Sequence, residues 1–162
     1  IAKNGKKILG RNTLAQVSPK EHTNCPFAAA DTLLETYKLG KNIDAIIVDF
    51  HAEATSEKMA MGAYLDSRVS IVVGSHTHVP TNDARVLKGG TAYQTDAGMC
   101  GDYDSVIGFD KTAPLTRFLT KISKAKLEPA AGPGTLCGLL AEIDDKTGLA
   151  ANCKAVQFPE AL

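Results

Sequence analysis

The chain is short of several things, and each shortage removes a class of protein. It has no excess of charge: 18 Lys and Arg balance 18 Asp and Glu. That excludes a basic nucleic-acid tract, a strongly cationic membrane-binding face and an acidic tail. A phosphate-bearing small molecule would have to be held by local chemistry. Its apolar runs stop far short of the roughly 20 residues a membrane helix needs, and its start has no signal-peptide pattern. A soluble, cytoplasmic protein with no membrane partner is expected. Cys25, Cys100, Cys137 and Cys153 form no C-x-x-C pair, so neither a zinc ribbon nor a dithiol redox motif is present and reduced thiols are expected. Internal repeats and low-complexity segments are absent. The chain also opens without methionine, on Ile1-Ala2-Lys3-Asn4-Gly5, which reads as the interior of a longer protein.

What remains is a globular composition, 44% hydrophobic over 162 residues, enough for one domain with a core. Asn4-Gly5 reads as a tight turn into a strand reaching Val17, with a hairpin partner upstream. Residues 18 to 25 read as a polar loop that includes His22. Pro26 suits the first turn of a helix to about Leu39, with Phe27, Ala30, Leu33, Leu34, Tyr37 and Leu39 on one face and Gly40 at the stop. Ile43 to Phe50 and Arg68 to Gly74 read as strands buried on both faces. The helix between them, residues 54 to 66, has Met59, Ala60, Ala63 and Tyr64 as its expected inward positions. Short strands are expected near 84–87, 91–95 and 104–108, a helix from Ala113 to Thr120, and a closing hairpin from residues 135–143 and 150–158.

Strand, helix, strand implies a parallel pair with a right-handed crossover, which brings His51 and His76 to the same rim of the sheet. Such rims are where α/β folds collect ligands. His76-Thr77-His78 is H-x-H at a strand end, and strand alternation would turn both imidazoles to one side. Neutral imidazole is the commonest protein ligand for divalent transition metals, so His51, His76 and His78 are the candidate metal ligands. Asp49 and Glu53 flank His51, and Asp96 ends another short strand. Any of the three could accept the outer ring N–H of a metal-bound histidine. For Glu53 the alternative is a cap on the following helix, and for Asp96 a turn-stabilising role. Gly98, Gly101 and Gly108 could bring backbone N–H groups to an anion or simply turn the chain. Ser105 has no neighbouring base and Cys100 reads as an incidental thiol, so no nucleophilic residue is assigned.

Three segments now resemble a known family. Asp49-Phe50-His51-Ala52-Glu53-Ala54-Thr55-Ser56-Glu57-Lys58, Val73-Gly74-Ser75-His76-Thr77-His78-Val79-Pro80-Thr81 and Gly90-Thr91-Ala92-Tyr93-Gln94-Thr95-Asp96-Ala97-Gly98-Met99 resemble the YmdB-like branch of the calcineurin-type metallophosphoesterases. The 25-residue step from His51 to His76 agrees with it. The resemblance implies a four-layered α/β/β/α fold and two divalent metals, manganese, iron or zinc. It implies a bridging hydroxide that attacks phosphorus in line, with a histidine protonating the leaving oxygen. Cyclic nucleotides such as 2′,3′-cyclic AMP are the implied substrates. His51 and His76 would bind one metal, His78 the other.

The family's remaining ligands, an aspartate after the first strand, a bridging glutamate followed by asparagine, and an asparagine followed by the proton-donating histidine, have no counterpart here. Glu-Asn and Asn-His do not occur, and the single Gly-Asp, Gly101-Asp102, lies after the histidines. Residues 1–162 are therefore expected to be the carboxyl-terminal portion of one metallophosphoesterase domain, lacking its amino-terminal strands. No catalytic acid is assigned in the chain. The missing half, if a separate polypeptide, is its expected partner, and a homo-oligomer is expected. Alone the chain should be nearly inactive and hold at most one metal weakly. Two other readings compete: a non-catalytic interaction module, and a one-zinc hydrolase in which His51, His76 and His78 bind a single ion.

Overall fold

A computed structural model describes residues 5–15, 25–122 and 125–159. Asn4, most of the expected 18–25 loop and His22 lie outside them. The elements are β1 (Ile8–Leu14), α1 (Pro26–Thr36), β2 (Ala45–His51), α2 (Thr55–Leu65), β3 (Ile71–Ser75), β4 (Arg85–Val86), β5 (Ala92–Gln94), α3 (Thr112–Thr120), β6 (Leu136–Ile143) and β7 (Ala150–Phe158). Five strands form one sheet in the order β1-β2-β3-β5-β4, and β6 and β7 form a separate hairpin. β1, β2, β3 and β5 are parallel, and β4 closes the edge antiparallel. The chain is thus mixed α/β. Of the four expected layers, the described residues form one helical layer and one sheet, with the hairpin packed against β4 and β5.

β2 and β3 are rich in Ile and Val, which suit a pleated, covered surface. Register places Val48 beside Val72 and Val72 beside Tyr93. With Ile46 and Phe50 these share one face and pack under Ala30 and Leu34 of α1 and Met61 and Leu65 of α2. On the opposite face lie Ile47, Asp49, His51, Ile71, Val73 and Ser75, all half-buried. Period-two alternation therefore separates the core from the chemistry. Ser70 ties the hairpin turn to this sheet: it accepts the Ile46 N–H at 3.0 Å and donates to the Gly148 carbonyl at 2.6 Å.

Several expectations need correction. β1 pairs in parallel with β2, which follows it; the expected hairpin partner, upstream of Ile1, lies outside the described residues. α1 ends at Thr36, and Tyr37 is exposed. α2 turns a different face inward: Lys58, Met61, Gly62 and Leu65 are buried, while Met59, Ala60, Ala63 and Tyr64 are exposed. The cause is steric and electrostatic. Gly62 lies flat against the Tyr93 ring, where a Cβ would come within 2.6 Å, and Lys58 finds a buried carboxylate. Residues 104–108 form turns with one isolated bridge, Val106 to Phe109. Ser105 bonds back to the Asp102 carbonyl and the Asp102 carboxylate takes the Asp104 N–H, local bonds that compete with strand pairing.

Candidate metal centre

β2 and β3 end together: the last residue of β2, His51, stands opposite the last residue of β3, Ser75. Asn12 on β1 lies opposite Asp49. This register builds a hydrogen-bonded chain along the outer face of the sheet. Asn12 donates its amide to Asp49 Oδ2 at 2.6 Å, and Ser75 donates its hydroxyl to Asp49 Oδ1 at 2.8 Å. With its proton so committed, Ser75 Oγ accepts from His51 Nδ1, 3.2 Å away. His51 is thereby fixed as the Nδ1–H tautomer, and its Nε2 lone pair points outward.

That lone pair faces His76 Nδ1 at 3.0 Å, with the two rings edge to face. Two imidazole nitrogens on one divalent ion, at about 2.0–2.1 Å and roughly 90–110°, stand roughly 2.8–3.4 Å apart. The pair therefore has the spacing of two ligands of one ion, and these residues fit such a group. The outer nitrogen of His76, Nε2, contacts the Glu53 carboxylate. Glu53 does not cap α2, whose N-cap is Ala54 with no side-chain bond. Of the two acidic residues flanking His51, Glu53 serves His76, and Asp49 reaches His51 only through Ser75.

His78 is elsewhere. β3 stops at Ser75, and His76 and His78 both take positive φ, 126° and 65°. The strand-alternation argument for H-x-H thus fails, because the motif sits on a turn. His78 donates Nδ1–H to the Ile107 carbonyl at 2.8 Å, which leaves Nε2 as the unprotonated nitrogen of the neutral ring. Among the described residues no three His, Cys, Asp or Glu side chains are gathered to hold a metal. The single three-histidine zinc site is therefore not assembled.

Asp96 stabilises the turn that carries these histidines. Its Oδ2 accepts the Thr77 N–H at 3.0 Å and the Lys58 ammonium at 2.7 Å, and its Oδ1 accepts the Gly98 N–H at 3.0 Å. Burial opposes its charge, but the bonds from Lys58, Thr77 and Gly98 outweigh burial and hold its carboxyl below the usual range. Gly98 (φ 80°) turns the chain and lies so close to Pro80 that a Cβ would reach its ring at 2.7 Å. Nearby, burial and then the Cys137 thiol push the Tyr103 hydroxyl up to about 12, which leaves it a neutral donor to the Met99 carbonyl. Sequence reasoning missed Asn12, Ser75 and Lys58. Strand register could have found the first two, since each lies opposite a residue already suspected.

The chain belongs to the YmdB-like protein family, whose model matches residues 1–156. It is 46% identical over 131 residues to a 2′,3′-cyclic-nucleotide 2′-phosphodiesterase of Bacillus subtilis, a match covering 81% of this chain and 48% of that protein. A putative phosphatase/phosphodiesterase of Mycoplasma genitalium is 37% identical over 158 residues, 96% of this chain and 54% of its own. The crystal structure of a novel phosphatase from Mycoplasma pneumoniae superposes with a TM-score of 0.85 at 34% identity, covering 98% of this chain and 55% of that one. A hypothetical protein from Thermus thermophilus gives the same TM-score at 37% identity, with 98% and 60% covered. The chain spans about half the length of the curated relatives it matches.

Proposed function

We propose that this chain forms the histidine-bearing wall of a two-metal phosphodiesterase that opens cyclic nucleotides of the 2′,3′ type. The observation that carries the reading is the 3.0 Å approach of His51 Nε2 and His76 Nδ1 at the carboxyl ends of two adjacent parallel strands. In the reading, His51 and His76 hold one divalent ion and His78, through Nε2, contributes to a second. Such ions, when bound, neutralise phosphate charge and lower the pKa of a bound water. This chain's own part is orientation. Asp49 and Ser75 hold the His51 ring in the tautomer that exposes Nε2, Glu53 steadies His76, and the Ile107 carbonyl fixes His78.

Residues 1–162 are, in this reading, the carboxyl-terminal portion of one metallophosphoesterase domain. The remaining carboxylate and amide ligands and the acid for the leaving oxygen come from the part of the relatives that the matches leave uncovered. Manganese, iron or zinc suits the nitrogen donors. Support comes from the named activity of the Bacillus subtilis relative at 46% identity.

The test is hydrolysis of 2′,3′-cyclic AMP with Mn²⁺, by the chain alone and co-expressed with the uncovered half of the Bacillus subtilis relative. Turnover should appear only in the co-expressed form and vanish with His51→Ala or His76→Ala. Metal-dependent turnover by the chain alone would refute the divided site, and a co-expressed, folded complex without turnover would refute the activity.

A further inference from the structure

Lys58 turns inward from α2 and is 1% exposed, as is the Asp96 carboxylate it meets at 2.7 Å. A buried ion pair is a poor way to gain stability, since desolvation of both charges consumes most of the attraction, and apolar residues of similar volume commonly serve as well. This pair has a further contact that apolar side chains could not make. The same Asp96 oxygen that accepts Lys58 accepts the N–H of Thr77, between the two histidines, and the other oxygen accepts the N–H of Gly98.

The neighbouring backbone points the same way. The Ala97 N–H reaches the Gly74 carbonyl at 2.9 Å, and the Thr81 N–H reaches the Asp96 carbonyl at 3.0 Å. The Lys58 stem runs so close to β3 that a Cβ at Gly74 would stand 2.8 Å from its Cδ. A helix, two strand ends and the histidine turn thus converge on one carboxylate. The turn needs such an anchor, because His76 and His78 both hold the positive φ that β-carbon sterics disfavour.

We infer that Lys58 and Asp96 form a positioning clamp that holds the His76–Thr77–His78 turn in the conformation aiming His76 Nδ1 at His51 Nε2. Neither residue touches a reacting atom; both act through the turn. The inference deepens the metal-site reading and rests on it for its functional meaning.

The test uses the whole chain with Lys58→Met, which keeps the stem and removes the ammonium, and Asp96→Asn, which cannot accept from all three donors. Met61→Ala is the control, a fully buried residue of the same helix whose side chain belongs to the hydrophobic core. In the metal-free chain, NMR should show ring-to-ring proximity of His51 and His76 in the parent and in Met61→Ala, despite the latter's lower Tm. Lys58→Met and Asp96→Asn should lose it. Titration with Co²⁺ should show about 10–100-fold weaker binding in those two variants and parental binding in the control. Parental ring contact and affinity in folded Lys58→Met would overturn the clamp. If both variants fail to fold, the parent decides: a Thr77 amide protected from hydrogen exchange supports the clamp, and free exchange of this amide overturns it. Absence of Co²⁺ binding by the parent would instead sink the metal-site reading, leaving the ring contact to decide the clamp.

Discussion

Ser75 donates its hydroxyl hydrogen bond to Asp49, 2.8 Å away, and so becomes the acceptor for His51. The serine converts a carboxylate that does not reach the imidazole into one that orients it. Ser75→Ala should therefore cut divalent-metal affinity by about 10-fold or more while costing only about 1 kcal/mol of stability. Calorimetric titration with Mn²⁺ beside urea unfolding measures both. Equal loss of stability and no loss of affinity would remove Ser75 from the site.

The separation of His78 from the other two histidines makes their substitutions unequal. In this chain alone, His51→Ala and His76→Ala should abolish Co²⁺ binding, whereas His78→Ala should change it by less than about threefold. The cobalt absorption spectrum distinguishes the three. Equal losses would mean that all three imidazoles share one ion.

Asp83 governs part of the acid limit. Burial works against its charge, but hydrogen bonds from Thr81, Thr95 and Arg85 prevail and hold its pKa below the ordinary 3.8. A carboxyl depressed in the folded state contributes stability above its unfolded pKa and loses it as pH falls through the folded value. The contribution should thus be complete at neutral pH and disappear below about pH 4. Asp83→Asn should flatten the dependence of urea stability on pH in that window. An unchanged slope would show that Asp83 does not titrate with unfolding.

Gly62 is where α2 can come down onto the sheet. An added methyl would press on the Tyr93 ring at 2.6 Å, so Gly62→Ala should destabilise by about 1–3 kcal/mol despite its better helix propensity. Thermal unfolding tests the sign. A more stable variant would mean that the Tyr93 ring yields at little cost.

Much of the fold could be read from the sequence, for identifiable reasons. β2 and β3 are built around Ile46-Ile47-Val48 and Ile71-Val72-Val73, α1 begins on a proline, and the closing hairpin brackets a polar turn. Each signal is local, and each element appears within a few residues of its expected place. The inward face of α2 was not legible, because hydrophobicity did not choose it. Lys58 is inside owing to Asp96, 38 positions away, and Met59 is outside because Gly62 is the residue that fits Tyr93. The pairing of His51 with His76 could be read from topology. His78 could not be placed, since its position depends on a turn with positive φ and on a carbonyl at Ile107. Ser75 was missed because a serine beside a histidine looks ordinary until register sets it across from His51.

Gly74 lies one residue short of this rim, opposite Phe50. A Cβ there would fall 1.8 Å from the Thr95 carbonyl oxygen, and backbone of this kind has little room to yield. The smallest side chain would act as a wedge at the open end of the sheet, prising β3 from the segment that follows β5. The histidines would keep their chemistry and lose their aim. A hydrogen atom at position 74 is in that sense part of the instrument, letting the end of β3 close on the Thr95 backbone.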